Sequence, residues 1–95
     1  MRQTHYTVSY DISSDKQRRR VAKVLEKKGL RVQKSVFECR LSERQFLALR
    51  SALERLIDFR TDSLRYYPLC LRCSEAVVHV GQTVPLEETE AVKVI

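Results

Sequence analysis

The 95-residue chain has no apolar run approaching the ~20 residues that span a bilayer. Its first residues, Met1-Arg2-Gln3-Thr4-His5, lack the apolar core of a secretory signal. The expected location is therefore cytoplasmic, with no membrane association. Cysteine is scarce and odd in number: Cys39, Cys70 and Cys73. In a small cytosolic chain that count argues against a disulfide framework. Cys70-Leu71-Arg72-Cys73 is a lone CxxC, and zinc needs four ligands. The rest of the chain offers only Cys39, His5 and His79, at scattered positions. The plain expectation is that Cys70 ends a buried strand and Cys73 sits in the turn. No internal repeat, low-complexity segment or base-reading motif is visible, so the residues do not choose between RNA and DNA.

What is present is an ordinary globular composition with an excess of arginine. Hydrophobic residues make up 43%, too many for a disordered chain. The length predicts one domain with a modest core, which gains from dimerisation. Net charge is +6 and unevenly spread. Residues 1–81 hold 17 Lys/Arg against 9 Asp/Glu, net +8, whereas residues 82–95 are net −2. A body with that excess attracts polyanions, of which nucleic acid is the commonest in a cytoplasm. The 12 arginines against 6 lysines favour phosphate, because the guanidinium fork fits its oxygens. A merely solvated basic face is the alternative.

Alternation and periodicity predict an order of elements. Tyr6 to Asp11 reads as a strand, with Tyr6, Val8 and Tyr10 on one face and Thr7, Ser9 and Asp11 on the other. A helix follows from about Asp15 to Lys28, carrying Val21, Val24 and Leu25 on its apolar side and stopped by Gly29. Arg31 to Leu41 is extended, and a reversal or bulge near Gln33-Lys34-Ser35 splits it into two strands. Ser42-Glu43-Arg44-Gln45 is a capping box opening a second helix, to about Asp58. Ser63 to Cys70 is a strand in which Pro68 must lie at an end, bulge or edge. Ala76 to Val80 reads as another strand, ended by Gly81. The fold class is α+β: a ferredoxin-like β-α-β-β-α-β sandwich, with both helices on one face of an antiparallel sheet. Residues 1–81 form that domain. Residues 82–95 form a polar connector and an orphan C-terminal strand, Ala91 to Ile95, which needs an edge in its own subunit or another's.

Asp11 is the leading candidate for chemistry. It closes the strand and is followed by the basic run Lys16-Gln17-Arg18-Arg19-Arg20. A carboxylate at a strand end is rigidly held and faces solvent, which suits a hard divalent cation. Arginines nearby would hold phosphates beside the metal. The competing reading is an Asp that starts a turn or caps a helix. Arg19 is expected to point elsewhere on the helix, as solvated surface. Phe37 reads as core rather than as a base-stacking ring, and Ser35 equally as a turn former or a phosphate contact.

Val8-Ser9-Tyr10-Asp11-Ile12, Arg18 with Arg20, and the gapless run Gly29 to Cys39 resemble the CRISPR-associated Cas-two family. Thr61-Asp62-Ser63-Leu64-Arg65-Tyr66-Tyr67-Pro68-Leu69-Cys70 and Gly81 extend the resemblance over residues 5–81. It implies a ferredoxin-like homodimer with stacked sheets and a C-terminal strand pairing across the dimer. It implies a magnesium-dependent endonuclease (manganese substituting) on RNA or double-stranded DNA. It also implies a role as the bridge between Cas-one integrase dimers bound to spacer DNA. Asp11 would be the metal residue, paired with its dimer mate, and Tyr10 would join it in catalysis. Arg18, Arg20, Arg31, Ser35 and Phe37 would contact nucleic acid. Lys34 departs from the family pattern. Two other readings are a non-catalytic scaffold bridging integrase and DNA, and a toxin-like or regulatory dimer.

Overall fold

β1 (Thr4–Asp11) forms because alternate residues bury one face: Val8 is fully buried, and Tyr6 and Tyr10 nearly so. In a computed structural model, which describes residues 2–78, 80 and 81, this strand lies inside a four-stranded sheet. The remaining elements are α1 (Asp15–Glu26), β2 (Gly29–Gln33), β3 (Val36–Leu41), α2 (Glu43–Glu54), β4 (Ser63–Leu69) and a short α3 (Leu71–Glu75). The strand order is β2-β3-β1-β4, and every pairing is antiparallel. This is the ferredoxin-like arrangement.

Local chemistry accounts for the helix starts. Ser14 caps α1, its hydroxyl accepting from the Gln17 amide at 3.3 Å, so Asp11 is not a helix cap. Ser42 and Gln45 exchange both bonds of the capping box, at 3.2 and 2.8 Å. Val21, Ala22 and Leu25 of α1 pack with Leu49 and Leu53 of α2 on Val8, Phe37 and Cys39. The Tyr6 ring stacks on Phe46 with centroids 4.1 Å apart, and Tyr66 meets Phe46 edge-on at 5.4 Å.

Several boundaries differ from the sequence expectation. α1 ends at Glu26 and α2 at Glu54, where turns take over; Leu56 and Ile57 still pack on the core from beyond the end of α2. Gly29 is not a left-handed helix stop; it opens β2 opposite Cys39. Its lack of a side chain has another cause: a Cβ there would sit 2.6 Å from the Cys39 sulfur and closer still to the Glu38 carbonyl oxygen. The split in Arg31 to Leu41 uses both expected devices, a turn at Lys34-Ser35 and a bulge between Arg31 and Gln33. Pro68 lies on β4, an edge strand of the described sheet, where a missing N–H is tolerated.

The expected strand from Ala76 to Val80 does not form over Ala76, Val77, Val78 and Val80. α3 turns the chain out of the sheet first, and β-branched residues make a strand only where an edge is available. Cys70 does not end a buried strand either; it is exposed and caps α3, which contains Cys73. His79 and residues 82–95, including the expected connector and terminal strand, lie outside the described residues. Among the described residues no helix is long and apolar enough to cross a membrane.

Candidate nucleic-acid and metal site

Asp11 is exposed at the last position of β1, opposite Ser63 of β4. Strand alternation places it with Thr7 and Ser9 on the sheet face away from α1 and α2. The loop that follows is tied down. One Asp62 carboxylate oxygen accepts from the Ser13 amide at 3.1 Å, and the other from the Asp58 amide at 2.8 Å. These backbone donors, Asp58 first and Ser13 second, hold the Asp62 carboxyl below the usual aspartate range. Asp62 thus links the segment after Asp11 to the segment before β4, a role sequence reasoning did not assign. Its sequence signals were its place directly before a strand that starts beside Asp11 and its membership of the family-like run from Thr61 to Cys70.

Beside Asp11 opens a cleft of about 470 Å³, lined by Tyr10, Asp11, Ile12, Arg18, Arg19, Ala22, Arg31, Lys34 and Ser35. It lies where the start of α1, the end of β1 and the β2–β3 hairpin converge. Four cationic side chains and one carboxylate share it. Arg18 donates to the Ile12 carbonyl at 2.9 Å and also pairs with Asp15. Arg31 lies over the Phe37 ring, 5.1 Å from its centroid, with Glu26 at 3.8 Å. Its Nε is buried without a hydrogen-bond partner among the described residues.

Of the family-implied residues, the fold brings Tyr10, Asp11, Arg18, Arg31 and Ser35 together. Arg20 does not line the cleft; its guanidinium donates to Gln17 at 3.3 Å. Arg19, expected to be surface only, is exposed but lines the cleft instead. Phe37 is 0% exposed, so no face of its ring is open to a base; it supports Arg31 from below. Tyr10 is 6% exposed, and its hydroxyl donates to the Lys34 carbonyl at 3.2 Å. The Tyr10 amide also donates to the Ser35 carbonyl at 3.1 Å. The hairpin tip is therefore stitched to the residue before Asp11. Among the described residues no three His, Cys, Asp or Glu side chains cluster as a metal site.

The model of the family described as CRISPR associated protein Cas2 matches residues 4–77. The chain belongs to the Cas2 family. It is 44% identical over 91 residues to a CRISPR-associated endoribonuclease Cas2 of Chloroflexus aurantiacus, covering 95% of this chain and 98% of that protein. The crystal structure of Streptococcus pyogenes Cas2 at pH 6.5 superposes with a TM-score of 0.73 at 35% identity, over 81% of this chain and 99% of that one. A chain of a partial Cas6-RT-Cas1–Cas2 complex superposes with a TM-score of 0.66 at 28% identity, over 78% of this chain and 87% of that one. Against this Cas2 frame, the Asp11 strand end and its cleft lie within the matched residues. The toxin-like alternative has no support beside it.

Proposed function

We propose that the chain is a magnesium-dependent endonuclease of CRISPR adaptation, acting as a homodimer in which two Asp11 carboxylates face each other. The observation that carries this is an exposed, rigidly placed carboxylate at the rim of a cleft holding four cations. The donor set fits the ion: magnesium is commonly bound by one or two carboxylates, completed by waters and substrate phosphate. One chain supplies Asp11, and its two-fold mate supplies the second. When bound, magnesium supplies charge stabilisation at a phosphoryl oxygen and a more acidic water. Arg19, Lys34 and the half-exposed guanidinium end of Arg31 supply the donors that hold a phosphate backbone beside Asp11. Arg18 shapes the loop through Ile12. Tyr10 positions the hairpin rather than transferring a proton, since its hydroxyl is committed to Lys34.

A second reading is a scaffold that bridges a Cas1 integrase and spacer DNA without cutting. It is favoured by Asp11 being the one carboxylate among the described residues that line the cleft, and by the likeness to a chain of a complex that contains Cas1. Cleavage of RNA and duplex DNA should be measured with magnesium, with EDTA, and with Asp11→Asn protein. The endonuclease reading expects cleavage that needs metal and vanishes in Asp11→Asn while duplex binding persists. Cleavage that survives purified Asp11→Asn sinks the assignment. An inactive wild type that still joins integrase to DNA gives the scaffold reading.

A further inference from the structure

The CxxC pair lies at the far end of the sheet from Asp11. His5 and Asp11 sit on the same face of β1, six residues or roughly 20 Å apart. α3 covers that end: the Ser74 hydroxyl bonds His5 Nδ1, and His5 Nε2 meets Glu38 at 3.1 Å. His5 and Ser74 are both buried, at 6% exposed. The Ser74 amide donates to the Cys70 carbonyl at 2.8 Å. This network holds α3, and with it the backbone between the two cysteines, in one geometry.

Both thiols are exposed, in contrast to Cys39. The Cys70 sulfur accepts from the Cys73 amide at 3.3 Å. Hydrogen bonds from the Cys73 amide and thiol hold the Cys70 thiol below its ordinary range, and Cys73 is pushed up in return. One sulfur is thus set as attacking thiolate and the other as its proton-bearing neighbour. A cavity of about 500 Å³ opens beside Cys70, lined also by Arg2, Gln3, His5, Leu71 and Ser74. It is mixed in polarity and carries a cation at Arg2.

We propose that Cys70 and Cys73 form a redox-active dithiol that exchanges with low-molecular-weight disulfides bearing carboxylates. The Cys70 thiolate attacks one sulfur of the incoming disulfide and expels the other as a thiolate, leaving a mixed disulfide on Cys70. Cys73 then loses its proton to solvent, attacks the Cys70 sulfur and expels the second small thiolate. Two protein thiols are oxidised to one disulfide, and one small disulfide is reduced to two thiols. The Arg2 guanidinium and the cavity hold the small molecule's carboxylate during the first attack.

The test uses the full-length protein, oxidised glutathione as probe, and alkylation followed by peptide mass spectrometry. Wild type should close the Cys70–Cys73 disulfide and leave Cys39 reduced, because burial pushes that thiol up to about 11. Cys73→Ser should arrest as a glutathione adduct on Cys70. Cys70→Ser should react about tenfold more slowly or less. Arg2→Ala should slow the reaction with glutathione disulfide but not with cystamine, a cationic disulfide. A wild type that stays a dithiol overturns the proposal. So does equal adduct formation in the two serine variants, or a rate with glutathione that Arg2→Ala leaves unchanged. Unaltered far-UV circular dichroism in each variant separates these outcomes from misfolding.

Discussion

Tyr10→Phe separates two roles that the family resemblance leaves merged. The substitution keeps the ring, which is 6% exposed and lies 6.4 Å from the Phe37 ring centroid. It removes one hydrogen bond, from the hydroxyl to the Lys34 carbonyl. The amide bond from Tyr10 to the Ser35 carbonyl remains. Lys34 is exposed at the hairpin tip, so water can take the vacated carbonyl. The loss should be about 0.5–1 kcal/mol, the lower range for a neutral bond. For a domain of this size that lowers Tm by roughly 2–8 °C. A phenol acting as general acid or base would be missed by about a hundredfold to ten-thousandfold in rate. A positioning phenol should be missed by less than about tenfold. Thermal melts and initial cleavage rates should be read on the same preparations, with amide hydrogen exchange at the hairpin as a third measure. A small drop in Tm, faster exchange at Lys34 and Ser35, and a modest rate loss are expected. A hundredfold loss of cleavage with unchanged Tm and exchange would refute the positioning role.

Arg19→Ala should weaken duplex binding more than Arg20→Ala, since Arg19 lines the cleft and Arg20 is turned toward Gln17; titrations at several salt concentrations should show a shallower salt slope for Arg19→Ala, and equal effects would remove the cleft as the binding surface. Asp62 has a folded pKa below its ordinary value of 3.8, so its contribution is complete above that value and is lost as pH falls through the lowered one. Asp62→Asn should therefore flatten the acid limb of stability against pH, followed by circular dichroism; an unchanged limb would show that the Ser13 and Asp58 bonds carry no linkage. Gly29→Ala should cost about 1–3 kcal/mol by overpacking, read by denaturant unfolding. Cys39→Ala should not restore the loss, because the Glu38 carbonyl still meets the new Cβ.

Much of the fold was legible because its signals are local. The alternation from Tyr6 to Asp11, the serine–glutamine spacing at Ser42 and Gln45, and the periodic Val21 and Leu25 each depend on neighbours a few residues away. They identified the element order and placed Asp11 at a strand end. The strand expected at Ala76 to Val80 failed for the complementary reason. β-propensity describes fitness for a pleated surface, and whether an edge is available is decided by distant residues. Gly29 was read as a helix stop because its sequence context matches one; the actual demand comes from Cys39 and Glu38, across a strand pair.

The site divides in the same way. Residue type and spacing put a carboxylate before three arginines, and the family resemblance marked Arg31 and Ser35 for attention. Which arginine faces the cleft is a matter of helix rotation relative to the sheet, set by Val21, Ala22 and Leu25 packing on the core. That rotation brings Arg19 into the cleft, engages Arg18 with Ile12, and turns Arg20 toward Gln17. Tertiary packing also made Phe37 a support for Arg31 and buried His5 between Ser74 and Glu38, which fixes the short helix on which Cys70 and Cys73 meet locally. Sequence determines what each residue can do chemically. Which groups meet depends on contacts between residues far apart in the chain, and those exist only once the core has closed.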